Sequence, residues 1–74
     1  MFLVFAFHEV PHPPRDTLAA WAGSVLEIVG KSAHAEIQTG DISGLVWRIG
    51  LFDEALEIRR RLAAGGVCAT FREQ

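Results

Sequence analysis

The segment that most restricts how this chain can fold is its opening. Phe2-Leu3-Val4-Phe5-Ala6-Phe7-His8 is apolar at both odd and even positions, and Val10-Pro11-His12-Pro13-Pro14 halts it. Successive side chains on a strand point to opposite faces, so a run apolar at both parities needs cover on both sides. It reads as a central strand. The prolines behind it lack backbone donors and push their predecessors toward extended geometry, so the connector is rigid.

The rest of the chain alternates between the two hydrophobic periods. Leu18, Trp21, Ala22, Val25 and Val29 recur at three and four, which predicts an amphipathic helix over 14–29. Pro14 suits its first turn, Asp16 complements the dipole there, Gly30 stops it and Lys31 places a cation at its negative end. Ala33, Ala35 and Ile37 then alternate with His34, Glu36 and Gln38, as in a half-solvated strand over 33–38. Thr39-Gly40-Asp41-Ile42-Ser43-Gly44 is of hairpin length, with Gly40 and Gly44 serving the turn, and a third strand follows over 45–51.

Asp53 is the expected N-cap of a second helix, with Glu54 in its first turn. Ala55, Ile58 and Leu62 share a face, and Glu57 precedes Arg61 by the four residues that favour a surface pair. Arg59, Arg60 and Arg61 read as a solvated last turn opposing the dipole. Gly65-Gly66 ends the helix, and 67–72 makes the last strand. With 74 residues the chain has room for a single domain.

The order β-α-β-β-α-β fits an α+β two-layer sandwich: a four-stranded antiparallel sheet with both helices on one face. In strand order 4-1-3-2 this resembles the ferredoxin-like superfold. That superfold hosts metabolite sensors, RNA binders, oxygenases and interaction modules, so it implies no function.

Such a sandwich leaves one sheet face without helices. Leu45, Trp47 and Ile49 are the greasier set of strand three and belong inside, as do Val67, Ala69 and Phe71 of strand four. On strand one, size suggests Leu3, Phe5 and Phe7 inside and Phe2, Val4, Ala6 and His8 outside. The expected core therefore holds Trp21 and Trp47 beside Phe5 and Leu18. The expected open face is an apolar strip of Phe2, Val4, Ala6, Val46 and Cys68, edged by His34, Glu36, Arg48 and Arg72. An apolar strip of this kind marks an interface. The plainer alternative is that small side chains leave it only mildly apolar and solvated.

Charge and motifs exclude several chemistries. Seven cations against nine acidic residues give a net charge of −2, without the basic stripe that polyanion binding requires, so nucleic acid is not the expected partner. Gly44-Leu45-Val46-Trp47-Arg48-Ile49 also lacks the basic-Gly-aromatic pattern of RNA-recognition strands. Cys68 has no partner for a disulfide or a Cys/His zinc set, which fits a reducing, cytoplasmic setting. The opening run lacks a basic start and a cleavage site and is too short for a membrane span. His8 and His12 are four apart but not helical between, so no metal site is expected. No nucleophile elbow or phosphate-binding loop is present, and no cofactor is implied.

The residues thus favour a small, non-enzymatic interaction or regulatory protein. Its partner would be a larger protein or a second copy of itself, met through the sheet face or a strand edge. Inhibitors form one such group. The expected partner-binding residues are Val4, His34, Glu36, Val46, Arg48 and Arg72. The alternative is a small dimeric enzyme or metabolite-binding module, with His8, His34, Glu36 and Arg48 around a site on that face.

Overall fold

The computed structural model describes residues 1–30 and 34–74, so the expectations for Lys31 and Ala33 lie outside the described residues. The elements run β1 (Phe2–Phe7), α1 (Arg15–Val29), β2 (Ala35–Gln38), β3 (Gly44–Ile49), α2 (Phe52–Ala64) and β4 (Ala69–Glu73). They form one four-stranded sheet in the order β2-β3-β1-β4, with every neighbouring pair antiparallel. This is the ferredoxin-like α+β sandwich that the periodicities imply, with β1 and β3 central.

The face assignment of β1 is reversed relative to the size argument. Val4 and Ala6 are fully buried and belong to the core, whereas Leu3, Phe5 and Phe7 lie on the side without helices. Register explains the reversal. Residues directly opposite each other in a sheet share a face, and Trp47 stands opposite both Val4 and Ala35. Leu45 likewise stands opposite Ala6 and Ile37. The large Trp47 and Leu45 take up the volume beneath the helices, so their neighbours on β1 must be small for α2 to approach. Valine and alanine satisfy that condition; phenylalanines do not. Phe2 follows the same parity and packs against the core from the inner side.

The helices bury the stripes that their spacing predicts. Leu18, Ala22, Val25 and Val29 are buried on α1, and Ala55, Ile58 and Leu62 on α2. Trp21 is only half-buried, at the margin of α1, where His8 meets it edge-on at a centroid distance of 5.2 Å. The expected side-chain cap on α2 is absent. Leu51 occupies the cap position, and Asp53 and Glu54 both sit in the first turn. Phe52 starts the helix earlier because its ring meets those of Phe2 and Phe71 at 5.5 and 5.7 Å, so aromatic packing sets the boundary.

Three local devices hold the loops. Ser43 donates from Oγ to the Pro11 carbonyl (2.9 Å) and accepts at its own carbonyl from the His8 amide (2.8 Å), tying the proline connector to the β2–β3 turn. Gly44 opens β3 rather than belonging to the turn: a Cβ there would collide with the carbonyl oxygen of Ala6. Arg61, read from sequence as a solvated cation, donates from Nη1 to the Val29 carbonyl (2.7 Å) while its Nε lies 3.3 Å from Glu57. It therefore satisfies an orphan carbonyl at the end of α1, where Gly30 follows at a φ of 90° and Arg61 Nη1 lies against it.

Candidate functional site on the open sheet face

Pairing register turns the uncovered face into a small grid. One rung reads Arg48–Leu3–Arg72 across β3, β1 and β4. The next reads Glu36–Val46–Phe5–Thr70 across all four strands. In the third, Gln38 stands opposite Gly44 and Gly44 opposite Phe7, whose amide donates to the Cys68 carbonyl at 3.0 Å. Phe5 and Phe7, two residues apart on one strand, hold their rings 5.3 Å apart. A shallow hollow of about 540 Å³ lies over the first two rungs, with Leu3, Phe5 and Val46 among its lining residues and Arg48, Thr70 and Arg72 beside them.

Of the six residues expected to bind a partner, the structure sets four on this grid: Glu36, Val46, Arg48 and Arg72. Val46 is buried between its neighbours, while Glu36, Arg48 and Arg72 are exposed. His34 is exposed but stands just before β2, outside the strand. Val4 is not on the face at all. Its side chain is 0% exposed, because its pairing with Trp47 commits it to the helix side. The residues missed are Leu3, Phe5 and Phe7, all half-buried. Their signal is the double-parity apolar run itself, read with the two faces exchanged.

The electrostatics of the face are uneven. Arg60 and Arg61 on α2 are held by Glu57 at 4.0 and 3.3 Å. Among the described residues, neither Arg48 nor Arg72 has a carboxylate within 4.0 Å. They flank Leu3 on strands two apart, roughly 10 Å between backbones. The surface therefore offers an apolar floor between two exposed guanidinium groups, with Glu36 on β2 opposite Val46.

The His8 that the acid–base alternative relies on is elsewhere. Its Nδ1 accepts from the Val10 amide at 3.0 Å and its ring abuts Trp21 of α1, whereas Glu36 projects from the opposite side of the sheet. Those two groups do not share a site. No helix among the described residues is long and apolar enough to cross a membrane. Comparison with protein-family models and with curated proteins returned no match.

Proposed function

We propose that the protein is a non-enzymatic interaction module that regulates a larger protein, as an inhibitor or adaptor, in the cytoplasm. The observation that carries this reading is the placement of Leu3, Phe5 and Phe7 on the face without helices. Three large apolar side chains on one central strand, kept outside although smaller ones were available, form a contiguous patch of the kind that partners cover. Arginine at its margin adds directional pairing to an otherwise non-directional surface.

Site-specific photo-crosslinking tests the reading. A benzophenone side chain is placed at Phe7 on the open face, and in a second variant at Ser24, exposed on α1. A discrete adduct from the Phe7 position, suppressed by excess unlabelled wild type and missing from the Ser24 position, supports the proposal. Adducts from Ser24 alone would move the interface to the helical layer and overturn it. Sedimentation of the wild type separates a second copy from a foreign partner.

A further inference from the structure

The open face carries charge as well as hydrophobicity, and the two are set in register. Taking that face as an interaction surface, we propose that Arg48 and Arg72 act as a pincer for an extended segment of another protein in which two carboxylates bracket an apolar residue. The pairing register sets both arginines level with Leu3, one on each side of it. Leu3, Phe5 and Val46 make the floor between them, and Thr70 supplies a hydroxyl beside it.

The spacing of the ligand comes from the rungs. The two arginine backbones are roughly 10 Å apart, because neighbouring strands are about 4.8 Å apart. In an extended peptide, side chains at i and i+4 point the same way about 13 Å apart, with i+2 between them. Arginine side chains leaning outward by a couple of ångströms close that difference. The fitting motif is thus carboxylate-x-apolar-x-carboxylate, with each carboxylate taken bidentately and the apolar residue set on Leu3 and Phe5.

Charge complementarity selects this occupant over others. Neither cation has a carboxylate within 4.0 Å among the described residues, although the chain has a net charge of −2. Two cations beside Glu36 are too few for a polynucleotide, whose affinity comes from neutralising many phosphates. A second copy does not supply the motif either. Asp53, Ala55 and Glu57 have the required spacing, but they lie within α2, where i, i+2 and i+4 do not share a face.

The test is an NMR titration of the full chain with three probes: the peptide Gly-Glu-Thr-Leu-Thr-Glu-Gly, its Gln-for-Glu analogue, and an oligothymidylate. The acidic peptide is expected to shift the Arg48 and Arg72 Nε–H signals and the amides of Leu3, Phe5 and Val46. The Gln analogue is expected to bind about tenfold more weakly. Arg48→Gln and Arg72→Gln should each weaken the acidic peptide about fivefold or more, with Arg60→Gln unchanged. Equal binding of the Gln analogue, with both arginine variants silent, would overturn the pincer and leave the apolar-face reading standing. Tighter binding of the oligothymidylate would assign the face to nucleic acid and overturn both. Shifts confined to α1 or α2 would also overturn both.

Discussion

The two faces of β1 are built from alternate residues of one six-residue strand, yet they obey different rules. At its centre the inner face presents small side chains, Val4 and Ala6, fully buried against Trp47, Leu45 and the helices, with Phe2 only at the end of the strand. Its outer face presents the larger Leu3, Phe5 and Phe7, each left half-buried. Size alone would have reversed the two. The difference teaches that a core position is filled by the side chain that fits the space left by its neighbours, not by the most hydrophobic one available. Large apolar groups displaced from the core in this way form an apolar surface on the other side of the sheet.

The contrast between the faces makes strong demands on mutants. Val4→Glu forces a carboxylate into the packed layer beside Trp47 and should cost more than ~5 kcal/mol. That is comparable to the whole stability of a domain this size, roughly 4–11 kcal/mol, so the variant should not fold. Phe5→Glu, one residue along the same strand, should remain folded and cooperative while losing partner binding. Circular dichroism melts of the two proteins decide the point, and a folded Val4→Glu beside an unfolded Phe5→Glu would invert the faces.

Trp47→Ala comes next. Trp47 is fully buried at the centre of the inner face, and its truncation should cost ~3–5 kcal/mol. Urea denaturation gives the value, and a midpoint close to that of the wild type would mean that the inner layer does not depend on this ring for its volume.

The smallest effect separates neighbouring arginines on α2. Arg61→Ala removes both the contact to Glu57 and the hydrogen bond to the Val29 carbonyl, and should destabilise by ~1 kcal/mol. Arg60→Ala removes only a long, exposed pair and should stay within ~0.5 kcal/mol. Equal melting temperatures for the two variants would show that the link from α2 to the end of α1 contributes nothing.

Much of this architecture is legible in residue order. The three-and-four spacing of Leu18, Ala22, Val25 and Val29 names the buried stripe of α1, and Ala55, Ile58 and Leu62 name that of α2. Alternation assigns Leu45, Trp47 and Ile49 inward, and the element order carries the strand order. Boundaries are less readable. β3 stops at Ile49, before the expected Leu51, because Phe52 is captured by Phe2 and Phe71, which are distant in sequence. The candidate site is half legible: strand parity yields Glu36, Val46, Arg48 and Arg72, while side-chain size puts Val4 on the wrong side.

What the sequence determined by itself is whatever depends on local spacing: two helices, four strands, their order and the alternation within each. These come from the 3.6- and 2-residue periods, which are properties of neighbouring residues. Only the tertiary structure decided which parity of β1 faces the helices and which arginine of three caps α1. Periodicity is blind to that choice, because both faces of β1 are apolar and shifting the pairing by one residue exchanges them. The choice is made by volume, when Trp47 is laid opposite Val4 and leaves no room for a phenylalanine.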